Sequence, residues 1–345
     1  MDSSIDLSDP QQALDLSRIR YQLIRLEDTI TFHLIERVQF PLNKSIYQPG
    51  AVSIRGGDSG NASWFPGPLA RLFSRSGASS QSFSFMDWYL RQQEALQSRI
   101  RRFESPDENA FFPDALQPPI LQPLHYPPIL HPNDVVVNDR IKRYYVDVLL
   151  PAVCDPDLGH GDRGETQENY GSAATCDIAV LQALSRRIHF GKFVAEAKFR
   201  AERARYTALI RAEDREGLGT AIVNKAVERA VLQRMRRKVA TYGQTLEAES
   251  GTGGGAPPGA CKINVDAVVA LYEEFVIPVT KDVEVEYLMQ RLDGDEGDDA
   301  AAATTTRKRP ATASSTSSSQ LLWGLGAGAG ALLVAATALR WLPRK

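Results

Sequence analysis

Residues 177–200 most constrain the fold, because helical spacing persists there for twenty-four residues without a proline. Leu184, Ile188, Gly191, Ala195 and Lys198 recur at the i, i+4, i+7 interval of one helical face. A mostly small or apolar stripe therefore points toward a core and ends in a lysine. Arg187 precedes Lys198 by eleven residues, which at roughly 100° per residue is three turns plus about 20°. On a straight helix both cations project from nearly the same side, about 16 Å apart along the axis. Leaning toward each other over Gly191 and Val194, they have the geometry to grip a small dianion. The same residues would serve as well as solvated cations snorkelling at the edge of a buried stripe.

Composition narrows the functions available to such a helix. A chain of 345 residues, 43% hydrophobic, can bury a large core as one big domain or two ordinary ones. The 40 basic and 42 acidic residues nearly cancel, which argues against a nucleic-acid surface as the main business. The amino terminus is acidic and lacks the basic and apolar regions of a leader, so the expected placement is cytoplasmic. Cys154, Cys176 and Cys261 are widely spaced and read as reduced structural residues. His189 has no metal-ligand pattern around it and reads as a packed or capping histidine. No phosphate-binding glycine loop and no G-x-S-x-G string is present, so neither nucleotide nor serine-hydrolase chemistry has a foothold.

Along the chain, Ile19, Leu23, Leu26, Ile30, Leu34 and Ile35 mark a long amphipathic helix from about residue 15 to 37, with Arg20 on it. Residues 41–81 turn to Gly, Ser and Pro and read as a loop insertion. Helical spacing returns from 83 to 103, and residues 113–132 form a proline-rich extended connection. A helix over 139–150 is expected to stop at Pro151. The long central helix follows, with Ser172 as its expected N-cap. Another helix spans 214–241, its buried side marked by Leu218, Ile222, Val223, Ala226, Ala230 and Val231 and its polar pair by Asn224 and Glu228. Asn264 caps a helix through Phe275, Pro278 restarts it, and Thr280 and Glu284 share a face of the last one. Only Val135-Val136-Val137 offers anything like period-two alternation. The fold class is therefore all-α, a helical bundle over residues 1–292.

Three helices thus carry small polar sets, Arg187 with Lys198, Asn224 with Glu228, and Thr280 with Glu284, and the first helix adds Arg20. The inventory holds no activated nucleophile. It suits an anionic small molecule and a polar transition state better than covalent chemistry, although for each pair alone an exposed pair on one helix ranks ahead of a catalytic role.

Residues 185–199, SRRIHFGKFVAEAKF, with 99–107, RIRRFESPD, and 277–288, IPVTKDVEVEYL, resemble the fungal and plant type of chorismate mutase, in order, from about Leu14 to Leu292. The resemblance implies an all-helical homodimer that converts chorismate to prephenate, the committed step toward phenylalanine and tyrosine. It places the active site on Arg20, Arg187, Lys198, Asn224, Glu228, Thr280 and Glu284, and all seven residues match. The reaction is an intramolecular [3,3] rearrangement, so no cofactor or metal is implied. Arg20 and Arg187 would secure carboxylates, Lys198 would donate to the ether oxygen, and Glu228 would hold the ring hydroxyl. Glu284, facing the same oxygen, would have to be a neutral acid, because an ionised carboxylate repels the developing negative charge.

The resemblance also implies inhibition by tyrosine and activation by tryptophan at a dimer-interface site. The matching positions are Arg101 and Arg102 on one subunit and Asn169, Gly171, Ser172 and Thr175 on the other. Two residues depart from the family pattern, Glu168 where an asparagine is expected and Asn264 where a threonine is. Beyond Leu292, residues 293–320 have the composition of a disordered linker. Residues 321–342 are expected to be a candidate membrane anchor, because 321–339 carry no charge and Trp323 and Trp341 sit near its two ends, where interfacial aromatics would. From another class comes a second reading, a catalytically silent, membrane-tethered helical module that senses aromatic amino acids.

Overall fold

Asp9 and Asp15 open the chain's first two helices by the same device. Each aspartate accepts backbone N–H groups of the turn that follows it, so α1 (Pro10–Ala13) and α2 (Leu16–Arg37) start where their first N–H groups are satisfied. The computed structural model describes residues 6–54, 83–154, 164–244 and 261–293. Met1–Asp295 forms one compact unit. The second unit, Glu296–Lys345, with most of the expected linker and all of the candidate membrane span at 321–342, lies outside the described residues. Among those described, no helix is long and apolar enough to cross a membrane.

The remaining helices are α3 (Phe85–Arg99), α4 (138–153), α5 (Tyr170–His189), α6 (Gly191–Ala201), α7 (Arg203–Arg211), α8 (Arg215–Ile222), α9 (Lys225–Tyr242) and α10 (265–289). No strand forms among the described residues, and a lone antiparallel bridge joins Gln244 to Cys261. Val135-Val136-Val137 belongs to an extended strap instead of a ladder. The main core is built where α2 and α5 lie together with α4 and α10. Ile30 and Leu34 meet Ile178, Leu181 and Ile188 there, alongside Tyr145, Leu149, Tyr272, Val276 and Val283. A second cluster, with Phe199, Tyr206, Leu218, Ile222 and Leu288, ties α6 through α8 to the end of α10.

Several boundaries differ from the sequence expectation. Pro151 does not end α4, nor does Pro278 restart a new helix. In both places the chain passes through a wide π-turn, Tyr145–Leu149 and Leu271–Val276, and the proline follows two residues later inside continuous helix. Proline lacks an N–H and its ring crowds the carbonyl one turn back, and a widened turn relieves both problems. Helix α3 ends at Arg99 instead of near 103, because Arg101 takes a left-handed conformation, φ 71°. The expected helix over 214–241 is two helices broken at Val223 and Asn224, which restarts the period and leaves Ala226 and Ala230 exposed.

The central rod is also two helices. It tightens at Phe190, where the Phe193 N–H reaches the Phe190 carbonyl at 3.1 Å and the Phe190 and Phe193 rings stack at 4.8 Å. Nor does Ser172 cap it. The helix begins at Tyr170 behind a 3-10 turn, Gln167–Asn169, and Ser172 sits exposed within its first turn.

Two buried polar hubs hold the bundle in register. Arg37 and Asp177, both fully buried, pair at 2.6 Å. Asp177 also accepts from the Tyr47 and Tyr145 hydroxyls, and Arg37 donates to the carbonyls of Phe40, Pro41 and Leu42. The start of the expected loop insertion is thereby clamped to α5. In the proline-rich strap, Glu94 of α3 accepts the N–H groups of Phe111 and Phe112, and the Tyr287 hydroxyl of α10 accepts that of His131. His189 proves to be packed, as its sequence context indicates. It accepts the Val137 N–H, and burial pushes it down to about 4, so it is neutral.

Candidate active site

The Arg187 side chain is 6% exposed, and its Nε and Nη1 have no hydrogen-bond partner among the described residues. Buried cations are ordinarily paired, because an unpaired one costs several kcal/mol (roughly) in lost hydration. α5 delivers this guanidinium beside α10, where Glu284 is also buried. Burial pushes the Glu284 carboxyl up to about 7, against the opposing pull of Lys198 and Arg187, and Glu228 adds a small push in the same direction as burial. Three of the other six expected residues therefore lie within electrostatic reach of Glu284.

Lys198 reaches this place from α6. Its Nζ donates to the Ile222 carbonyl at 2.6 Å and lies 3.8 Å from Glu284 Oε2. That carbonyl sits at the end of α8, where the break at Val223 leaves it without a helical partner. Close approach of α6 and α10 depends on Gly191. A Cβ there would lie 3.0 Å from Thr280 Cγ2 and 3.1 Å from Glu284 Cγ.

The other expected residues divide. Thr280 is half-buried on α10, and its hydroxyl donates to the Val276 carbonyl, leaving its oxygen lone pairs to accept. Asn224 is the N-cap of α9, accepting from the N–H groups of Ala226 and Val227. It therefore does not share a helical face with Glu228 as expected. Its amide nitrogen is the end that points away from capping. Glu228 lines a cavity of about 320 Å³ with Lys225, Arg229, Leu232, Glu273 and Ile277. Arg20 is exposed near the start of α2, and no ion pair or hydrogen bond joins it to the other six. A straight-helix estimate of the Arg187 to Lys198 separation does not apply across the tightened turn at Phe190.

Tyr272, which no sequence pattern singles out, lies within electrostatic reach of Arg187. It is fully buried, its hydroxyl has no hydrogen-bond partner among the described residues, and burial raises its pKa while Arg187 pulls the other way. Glu27 lies close by, held by Arg234 at 2.6 Å and by Lys238. No local pattern distinguishes Tyr272 from an ordinary core aromatic. The polar wall it forms with Arg187 exists only because α5 and α10 pack.

The expected effector residues occupy two places. Arg101 donates to the Gln122 carbonyl at 2.8 Å, while its Nε is buried with no hydrogen-bond partner among the described residues. Arg102 is held by Glu108 and by Gln182 Oε1. At the start of α5, Asn169 precedes the first turn, and Gly171, Ser172 and Thr175 are exposed. Thr175 Oγ1 donates to the Gly171 carbonyl and lies 3.2 Å from the Tyr89 hydroxyl. Tyr89, beside Thr175, and Arg101 are twelve residues apart along α3 and its end, about 18 Å by helical rise, while Arg102 reaches Gln182 farther along α5.

Residues 169–285 match the family model described as chorismate mutase type II. A chorismate mutase of Trichoderma parareesei is 59% identical over 292 residues, covering 85% of this chain and 98% of that protein. The crystal structure of a chorismate mutase from Candida albicans in complex with L-Trp superposes with a TM-score of 0.70 at 38% identity, over 87% of this chain and 99% of that one. A chorismate mutase structure with tyrosine bound in its allosteric site gives 0.63 at 36%, over 83% and 99%. With likeness of this extent reaching from the first helices to the last, the chain belongs to the chorismate mutase family and is an isomerase of that kind.

Proposed function

We propose that Arg20, Arg187, Lys198, Asn224, Glu228, Thr280 and Glu284 hold chorismate in the compact conformer from which it rearranges to prephenate. The observation that carries this reading is the buried Arg187 guanidinium with two donor nitrogens that the protein does not pair. A substrate carboxylate offers the planar acceptor that a guanidinium matches. Arg20, exposed on α2, is free to take the second carboxylate. As the ether bond breaks, negative charge grows on its oxygen. Lys198, anchored by the Ile222 carbonyl, and protonated Glu284 are the donors that meet that charge. Glu228 accepts from the ring hydroxyl, and Asn224, whose oxygen is used in capping, has its NH₂ left to give. Preorganisation in a site shielded from water supplies the rate, with no covalent intermediate. Prephenate formation by the purified full chain, lost by about a thousandfold in Arg187→Ala, tests the assignment. Wild-type turnover in that variant would refute it. The reading as a catalytically silent sensor is set aside, because the similar proteins, up to 59% identical over 292 residues, are chorismate mutases.

We further propose that the chain works as a homodimer inhibited by tyrosine and activated by tryptophan. The roughly 18 Å of helical rise between Arg101 and Tyr89, which stands beside Thr175, suits a ligand site completed by a second copy. Loss of both responses in Arg101→Ala would support the placement, and unchanged responses would remove it. The stretch at 321–342, uncharged through residue 339, is proposed as a membrane anchor. Release of the full-length protein by carbonate extraction would rule that out.

A further inference from the structure

Glu196 is a fully buried carboxylate on α6, two residues before Lys198, and it takes no part in the site described above. It accepts from Arg200 Nε, from the Tyr287 hydroxyl and from Arg291 Nε, each at 2.7 Å. Burial works to raise this carboxyl, and the hydrogen bonds from Arg291, Arg200 and Tyr287 outweigh burial and hold it below the ordinary carboxylate value. The Tyr287 hydroxyl, donating to Glu196, accepts the His131 N–H at 2.9 Å, and Arg200 donates to the Ile129 carbonyl. The Arg291 guanidinium lies 4.5 Å from the Phe199 ring centre. One acidic side chain thus binds α6, α10 and the proline-rich strap together.

Its place along α10 gives it a consequence for the chemistry. Glu284 lies between two fixed points, the close approach of Gly191 to Thr280 on one side and the Glu196–Tyr287 bond on the other. Lys198 rides on the same α6 that both points fix, with its Nζ 3.8 Å from Glu284. Rotation or sliding of α6 against α10 would change that distance first.

We propose that the Tyr287 hydroxyl and the Glu196 carboxylate are positioning groups for the rearrangement, locking α6 to α10 so that Lys198 and Glu284 face the same substrate oxygen. This rests on the reading of Lys198 and Glu284 given above. Neither group touches substrate. They act through the separation of the two donors, and misplacement on the order of 1 Å is enough to cost a large factor in rate.

The test uses the full chain and Tyr287→Phe, which deletes one oxygen and keeps the ring. Turnover should fall about tenfold with KM within about twofold, because uniform binding is retained while transition-state contacts are lost. As Lys198 recedes, its downward pull on Glu284 weakens, so the falling alkaline limb of kcat should move to higher pH. Loss of packing alone would lower thermal stability without moving that limb. Glu196→Gln, combined with Tyr287→Phe, should reduce turnover no further than the worse single change, since both act through one lock. Glu284→Gln, measured in parallel, identifies the limb. A limb that survives Glu284→Gln would overturn the acid reading and this inference with it. A limb lost in Glu284→Gln, but unmoved in Tyr287→Phe with unchanged turnover, would overturn the inference alone.

Discussion

Lys198 Nζ donates to the Ile222 carbonyl at 2.6 Å while standing 3.8 Å from Glu284 Oε2. The amine is thus tethered to the end of α8 and close enough to Glu284 to favour its ionised form, yet burial still holds that carboxyl up to about 7. If the protonated acid is the working form, turnover falls as pH rises through about 7. Glu284→Gln supplies a neutral donor at every pH, so it should keep turnover and lose the falling limb in a pH–rate profile. Turnover abolished throughout the pH range would remove the role. Stability follows the same sign. The folded state holds the proton above the ordinary value of 4.5, so this group's contribution is full below 4.5 and is lost as pH rises toward 7.

Arg187 should trade stability against activity. Its guanidinium is buried with Nε and Nη1 unpaired, so an apolar side chain of similar length removes a desolvation cost without breaking an ion pair. Arg187→Met is expected to raise the thermal unfolding midpoint, by the equivalent of about 1 kcal/mol. It should lower kcat/KM by about a thousandfold. A drop in both quantities would mean that the guanidinium supports the fold.

Much of this was legible in the sequence where burial follows local period. Ile19, Leu26, Ile30 and Leu34 are buried where their spacing puts them, and α2 ends at Arg37 as read. Local rules failed where tertiary packing overrides them. Pro151 and Pro278 are helix stops only if no wide turn precedes them. Asn224 is a strong N-cap residue in the middle of an apparent helix, and the cap prevails because Val223 turns extended and α9 begins anew. Among the site residues, Arg187, Lys198, Glu228 and Glu284 share one electrostatic neighbourhood, but nothing in their own stretches distinguishes them from solvated pairs. Arg187 is buried and Arg20 exposed, a contrast that their own stretches of sequence do not announce.

Asn224 has two separable duties under the proposed function. Its Oδ1 caps α9, and its NH₂ remains for substrate. Asn224→Ala should cost about 1 kcal/mol in denaturant unfolding together with activity. Asn224→Asp keeps the capping oxygen and its stability but has no NH₂, so kcat/KM should stay low. Recovery of activity in the aspartate variant would show that capping was the whole contribution.

Gly191 is the remaining control on the site, and it acts through space instead of charge. An added Cβ would stand 3.0 Å from Thr280 Cγ2, 3.1 Å from Glu284 Cγ and 3.2 Å from the Thr280 carbonyl oxygen. The last of these is backbone and cannot swing aside, so α10 must move as a body. Overpacking of this kind costs about 1–3 kcal/mol. It also displaces Thr280 and Glu284 from Lys198, so Gly191→Ala should lose more than about tenfold in kcat. A helix-propensity argument points the other way, since alanine favours a helix over glycine by about 1 kcal/mol. Thermal unfolding and turnover measured together decide between them. A more stable and fully active alanine variant would mean that α10 has room to yield, and that the contact between α6 and α10 does not set the catalytic geometry.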